Sequence, residues 1–271
     1  MRHIYSFSVI TMMITDERRT RILQIAEELG FVSLQRLVSA VGASESTVRR
    51  DLEFLHAQGH LHRTRGGAAY AGDSLADFDV RQNRASLEKR RIAQRTAELI
   101  TEGETVLLDG GTTTLEVAKN LKGKTLQVVT NSLPIASQLM NQPKVELIFI
   151  GGYVYPKTGV ALGDQAISAL KNINVSRLVM SAGGVTQDGL FNSNALLVET
   201  ERQMISAAEH VTLVADSSKF GQRALSQLCP LNAVSEIVTD DGLSDEWRRT
   251  LKGDGIALEV VEVKSRTMVE S

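Results

Sequence analysis

"STVRRDLEFLHAQGHLHRTRGGAAY", residues 46–70, decides how the first quarter of the chain is read. Val48, Leu52 and Leu55 stand at i, i+4 and i+7, the spacing of one buried helix stripe. With about 100° of turn per residue, that stripe leaves Ser46, Arg49, Arg50 and Glu53 on the other sides of the helix. Gly59 ends the run, so a helix is predicted from about Glu45 to Gln58. The remainder, "HLHRTRGGAAY", alternates and carries a Gly-Gly pair, the pattern of a short hairpin.

Two further helical patterns precede this one. In "DERRTRILQIAEELG", Ile22, Ile25, Ala26 and Leu29 repeat at helical spacing before Gly30. Ser33 reads as the N-cap of "LQRLVSAV", where Leu34, Leu37, Val38 and Val41 form the next stripe. "GAS" at 42–44 makes a tight turn into the third helix. Two helices joined by so short a turn are the signature of a helix-turn-helix, and a hairpin behind the second makes it winged. Residues 16–70 are therefore predicted to form an α+β winged helix-turn-helix domain.

The chemistry of this stretch suits a polyanion. Ser44, Ser46 and Thr47 place hydroxyls at the head of the third helix, followed by Arg49 and Arg50. Such groups contact phosphate oxygens and base edges in a major groove. Arg63 and Arg65, two positions apart on a strand, share one face of the wing. With Ser33 at the head of the second helix, these residues are the candidate contacts to double-stranded DNA. Taken alone, the arginines fit a solvated face equally well, and Asp51 or Glu53 could pair with them at small gain. Asp51 reads as a buttress for an arginine and not as a DNA contact.

Charge is distributed unevenly. Residues 1–70 hold nine arginines against seven acids, whereas the whole chain of 271 residues carries −2. Apolar residues make up 42% and charged residues 23%, ordinary for a globular protein with a substantial core. The single cysteine, Cys229, excludes an internal disulfide framework and suits a reducing cytoplasm. It reads as a small buried hydrophobe. No apolar run approaches the ~20 residues that span a bilayer, so no membrane partner is expected. Residues 1–15 read as a disordered extension and the polar 71–86 as a linker.

From 87 to 271 short apolar runs alternate with helical segments. The runs are "TVLLD" (105–109), "LQVVTN" (126–131), "VELIFIGG" (145–152), "RLVMSAGG" (177–184), "VTLVADSS" (211–218), "EIVTDD" (236–241) and "ALEVVEV" (257–263). Helices are predicted over 113–121, 132–140, 163–171 and 195–208. This alternation predicts an α/β domain with a mainly parallel sheet covered on both faces.

Ligands of such sheets sit at the carboxyl ends of the strands. Those ends are glycine-rich or polar here: Asp109, Gly110, Gly111, Thr112, Thr113 and Thr114; Asn131; Gly151 and Gly152; Gly183 and Gly184; Asp216 and Lys219. The two glycines of "DGGTTT" admit a close approach to the backbone, and its threonines open the next helix, an arrangement suited to phosphate. Lys219 offers a positive charge, and Asp109 and Asp216 suit sugar hydroxyls. A turn with a threonine N-cap is the plainer reading of "DGGTTT" in isolation. A P-loop lysine motif is missing, as is a G-x-G-x-x-G fingerprint, which argues against an NTPase or a dinucleotide cofactor. No Cys/His cluster has metal-ligand spacing, so no cofactor or metal is expected.

The residues quoted from 46–70, together with "KRRIAQRTAELITEGETVLLDGGTTTLEVAKNL", "VVTNSLPIA", "LIFIGG" and "VADSSKFG", resemble the DeoR family of bacterial transcription regulators. The resemblance runs from about Asp16 to Asp241. It implies a winged helix-turn-helix followed by a sensor domain like the sugar-phosphate isomerase and CoA-transferase fold. It further implies a repressor, typically a homo-oligomer, released from its operator by a phosphorylated sugar or related metabolite. Two departures from the family pattern fall near the implied effector pocket. An aspartate common before "RLVMSAGG" is replaced within "NINVSRL", and the Glu-x-x-x-Lys-Arg pattern becomes Leu197 followed by Glu201-Arg202. The competing class is a sugar-phosphate isomerase with a DNA-binding appendage. An isomerase needs a positioned general base, and the changes at Leu197 and Glu201 remove candidate groups.

Overall fold

The structure, a computed structural model, describes residues 15–29, 31–58, 60–64, 66–70 and 78–263. The chain divides into two compact units, Met1–Ala76 and Asp77–Ser271.

The first unit runs α1 (Thr15–Leu29), β1 (Phe31–Ser33), α2 (Leu34–Val41), α3 (Glu45–Ala57), β2 (Leu61–Thr64) and β3 (Gly67–Tyr70). Local chemistry fixes its turns. The Ser33 hydroxyl accepts from the Arg36 amide at 3.3 Å and so starts α2. Gly42, at φ 62°, closes that helix in the left-handed region that favours glycine. Ser44 then caps α3 by accepting from the Thr47 amide at 3.3 Å. Ile22, Ile25, Leu37, Val48, Leu52, Leu55 and Leu61 fill one small core. β1 is not legible in the sequence. It makes the expected hairpin a three-stranded sheet of order β1-β3-β2. Gly67 permits this, because a Cβ there would lie 2.1 Å from the Val32 carbonyl oxygen.

The second unit opens with α4 (Phe78–Asn83) and α5 (Ser86–Leu99). Part of the stretch expected to be a linker, 71–86, is therefore helical. Its polar residues carry no periodicity because a tertiary contact orders them: the buried Lys89 ammonium donates to the carbonyls of Arg81 and Arg84. Residues 71–77 and the expected extension, apart from Thr15, lie outside the described residues.

Next come β4 (Thr105–Leu108), α6 (Thr112–Asn120), β5 (Leu126–Thr130), α7 (Leu133–Leu139), β6 (Val145–Phe149), β7 (Tyr153–Tyr155), β8 (Val160–Leu162) and α8 (Asp164–Leu170). They are followed by β9 (Val175–Met180), β10 (Gly184–Thr186), β11 (Gly189–Asn192), α9 (Ala195–Ser206) and β12 (Ala208–Val214). The unit ends with β13 (Ser226–Cys229), β14 (Glu236–Asp240), α10 (Asp245–Gly253) and β15 (Ala257–Val261). All seven predicted runs pair in one parallel sheet of order β15-β14-β12-β9-β4-β5-β6. Two apolar cores cover it, one built around α5, α6 and α7 and the other around α8, α9 and α10. The small antiparallel pieces, β7-β8 and β10-β11-β13, are additions of three or four residues per strand.

The strand order sets the site. From β4 the chain moves outward through β5 to β6, then returns to β9 on the other side of β4 and continues through β12, β14 and β15. The topological switch point lies between β4 and β9, where sheets of this kind place a ligand beyond the strands' carboxyl ends.

Candidate DNA and effector sites

The α3 stripe is buried as its spacing predicts, and Ser44, Ser46, Arg49 and Arg50 are exposed. The Ser44 hydroxyl lies 3.0 Å from that of Ser46 and 2.8 Å from that of Thr47, one hydrogen-bonded cluster at the helix head. Arg49 donates through Nε and Nη2 to Glu45 at 3.0 and 2.7 Å, an exposed pair one helical turn apart. Arg63, exposed on β2, pairs with Glu53 at 3.2 Å. Ser33 is exposed and serves as the α2 cap. Arg65 lies outside the described residues.

Asp51 holds the helices together. It is 2% exposed, and its two carboxylate oxygens accept from Nε of Arg18 at 2.6 Å and Nε of Arg19 at 3.0 Å, both on α1. The Arg19 guanidinium also stacks 3.7 Å from the Phe54 ring centre. The buttress expected for Asp51 is present, but the arginines it holds come from α1 and not from the proposed DNA face. A sequence separation of 32 or 33 positions hides this pairing from any local pattern.

In the second unit the candidates at β4, β5 and β9 gather at the switch point. Asp109, directly after β4, is 1% exposed, and neither of its oxygens has a well-formed hydrogen bond among the described residues. Burial pushes its pKa up to about 7, against the pull of the Gly110 and Ser181 amides and the Arg81 charge. Gly110 and Gly111 let the loop pack closely on its neighbours. A Cβ on Gly110 would lie 1.9 Å from Cγ1 of Val160, and one on Gly111 would lie 2.3 Å from the Ser181 hydroxyl. Thr112, Thr113 and Thr114 are buried in the first turn of α6, whose amides and dipole end favour an anion.

Asn131, directly after β5, is fully buried. Its Nδ2 donates to the Ala161 carbonyl at 3.0 Å, while its Oδ1 has no partner among the described residues. After β9, the Gly183 amide donates to Oδ1 of Asn192 at 2.7 Å. Asn192 in turn donates through Nδ2 to both oxygens of Glu201, at 2.8 and 2.7 Å. Glu201 is 1% exposed, and burial together with the Asp109 charge raises its pKa well above the usual carboxylate range. Asn192 carries no signal in the sequence. Glu201 stands out there only as a departure from a family pattern. Arg202, beside it, ties α9 to β13 by donating to the carbonyls of Leu228 and Gln227.

The remaining candidates serve other contacts. Gly184 lies in β10, and a Cβ there would lie 2.2 Å from the Gln222 carbonyl oxygen. Gly151 and Gly152 follow the edge strand β6, two strands from β4. Gly152 has φ 153° and packs closely on the Leu162 carbonyl. Asp216 caps a short 3-10 turn by accepting from the Ser218 amide at 3.2 Å and from its hydroxyl. Lys219, in that turn, is half-buried. The Cys229 thiol is pushed up to about 11, chiefly by burial. An open groove of about 580 Å³ lies at the opposite end of the sheet, lined by residues such as Gly103, Gln127 and Lys144. It contains none of the buried polar groups that mark the switch point. No described helix is long and apolar enough to cross a membrane.

A winged helix-turn-helix joined to an α/β unit with a polar crevice defines a DNA-binding regulator with a small-molecule sensor. Residues 18–73 match the model of the DeoR-like helix-turn-helix domain, and residues 84–241 match that of the DeoR C-terminal sensor domain. The chain belongs to the DeoR family of transcriptional regulators. It is 30% identical over 257 residues to the uncharacterized HTH-type transcriptional regulator YulB of Bacillus subtilis (strain 168), covering 94% of this chain and 100% of that one. It is also 30% identical over 253 residues to a putative aga operon transcriptional repressor of Escherichia coli O157:H7, covering 91% and 94% of the two chains. A faint structural likeness is to ribose 5-phosphate isomerase A of Methanocaldococcus jannaschii, with 17% identity, a TM-score of 0.37, and 50% and 54% of the two chains covered.

Proposed function

We propose that this regulator represses a carbohydrate-metabolism operon and is released from its operator by a phosphorylated sugar. The observation that carries the sensing half is the crevice between β4 and β9. It combines a helix N-terminus behind a glycine pair, suited to phosphate, with buried polar atoms such as Oδ1 of Asn131 that lack partners among the described residues, suited to the donors of a sugar. The repressor role is supported by the name of the aga operon relative.

On DNA, Ser44, Ser46, Thr47, Arg49 and Arg50 form the reading face, and Ser33, Arg63 and Arg65 steady it on the backbone. The regulator acts as a homo-oligomer, because paired recognition helices reach successive major grooves. The edge strand β6 is a surface on which two copies could join. It is the last strand of the sheet among the described residues, and Ile148 and Phe149 on it, like Tyr153 and Val154 in the following β7, are exposed.

The test is fluorescence anisotropy on a duplex spanning the region upstream of the chain's own gene, at fixed salt. A panel of hexose and pentose phosphates is titrated into the complex. At least one should weaken DNA binding about tenfold or more, the coupling typical of such sensors. Tight operator binding that no phosphorylated sugar alters would refute the sensing role.

A further inference from the structure

We infer that two copies of the chain join through the edge strand β6, pairing antiparallel about a two-fold axis at Leu147, so that their sheets run on as one. This rests on the homo-oligomer proposed above and names the surface and register that build it.

The first argument is where the apolar surface lies. Six of the ten large apolar side chains exposed among the described residues fall between positions 133 and 154: Leu133, Met140, Ile148, Phe149, Tyr153 and Val154. They belong to, or directly follow, α7, β6 and β7, and α7 packs on β6. The opposite edge strand, β15, carries none of the ten. At roughly 150–250 Å² per large side chain, exposures of 37–66% leave about 400–700 Å² of apolar surface on each copy. An interface of standard size buries about 800 Å² on each partner, so this surface supplies half of it or more. Apolar surface on that scale marks a place of contact.

The second argument is that this edge fits itself. The Lys144 carbonyl accepts from the Leu126 amide, and the Ile150 amide donates to the Thr130 carbonyl. The even-numbered residues of β6 therefore turn their backbone groups toward β5, and Val145, Leu147 and Phe149 turn theirs away. Among the described residues no strand pairs with that side, and the Val145 amide is taken by the Gln142 carbonyl. Antiparallel pairing centred on Leu147 uses what faces outward. The two Leu147 residues exchange both bonds, and each Phe149 amide meets the Val145 carbonyl of the other copy. Charge agrees with this register. Glu146 is the one charged residue on β6, which has no lysine, proline or bulge to guard its edge. It falls opposite Ile148 of the other copy, so no like charges face each other directly. A two-fold contact asks only that a surface match itself, which singles out a second copy as the occupant.

The experiment is sedimentation of the full chain across a dilution series, with Trp247 fluorescence as the check that the sensor is folded. Ile148→Glu sets a carboxylate opposite Glu146 of the other copy, twice in each two-fold contact. It should weaken association about tenfold or more, so that the assembly falls to half its mass at concentrations where the parent stays whole. Adding Glu146→Lys turns both repulsions into opposite-charge pairs and should restore the parent mass. An assembly indifferent to Ile148→Glu, or one that the second change fails to restore, overturns the β6 pairing and leaves the homo-oligomer standing. A parent chain that sediments as a monomer overturns both. Should Ile148→Glu fail to fold, Phe149→Pro removes an outward amide at a position where an edge strand tolerates proline. It should weaken association in the same way, and an unchanged mass there overturns the pairing.

Discussion

Asp51→Ala should unfold the DNA-binding unit while leaving the sensor intact. The carboxylate side chain is 3% exposed and its two partners, Arg18 and Arg19, are 10% and 24% exposed. Removing one member of a buried ion pair costs about 3–5 kcal/mol, because the remaining charge stays desolvated. The Arg18 contact bears nearly the whole of that cost. Arg19 bears less, since water reaches it and its stacking on Phe54, worth about 0.5–1 kcal/mol, survives. A unit of this size, at about 0.05–0.15 kcal/mol per residue, has a total stability of roughly 3–8 kcal/mol. The substitution therefore removes from about 40% of it to the whole. The chain has one tryptophan, Trp247, which packs against Phe220 in the sensor unit. Tryptophan fluorescence thus follows the sensor alone, while far-ultraviolet dichroism follows both units. The variant should lose helical signal at lower urea and lose operator binding, with the fluorescence midpoint unchanged. Asp51→Asn, which keeps one acceptor oxygen, should fall in between. A dichroism transition within about 0.5 kcal/mol of the parent, the scale of an ordinary surface change, would refute the role given to Asp51.

The sensor should be less stable at pH 8 than at pH 5.5. The Asp109 pKa rises from 3.8 to about 7 on folding, so the native state holds more protons across that window and stability falls as pH rises through it. The raised Glu201 pKa acts in the same direction. The Trp247 midpoint should drop by an amount equivalent to a few kcal/mol, a tenfold change in proton affinity being worth about 1.4 kcal/mol. Asp109→Asn should flatten the profile; an upward trend contradicts the assignment. Gly184→Ala drives a Cβ to within 2.2 Å of the Gln222 carbonyl oxygen and should destabilise the sensor by about 1–3 kcal/mol in the same melt. Arg50→Ala should weaken operator binding by about 1–3 kcal/mol if it reads a base, measurable as anisotropy, with both melts unchanged. An unaltered affinity removes Arg50 from the reading face.

What is legible in the sequence follows the range of the interactions involved. The α3 stripe, the Ser33 and Ser44 caps and the seven parallel strands depend on periodicity within a few residues, and they appear where that periodicity puts them. Short strands such as β1 and β10 offer only three residues of pattern, and their pairing is decided by a partner elsewhere. Helix α4 is polar and reads as linker, because its order comes from Lys89 and not from its own residues.

The crevice is half legible for the same reason. "DGGTTT" marks it from within one loop, since backbone clearance and a helix start are local properties. The rest of its chemistry joins positions 109, 131, 192 and 201, which share no motif. They meet because the chain reverses direction at β4 and returns through β9, so α9 carries Glu201 back toward the first strand end. The charge of that residue becomes informative only with its neighbours in place. In sequence, a glutamate where a lysine is common reads as a loss. Beside a buried Asp109 and an Asn192 that can only donate to it, the same glutamate is a held, buried carboxyl with a raised pKa.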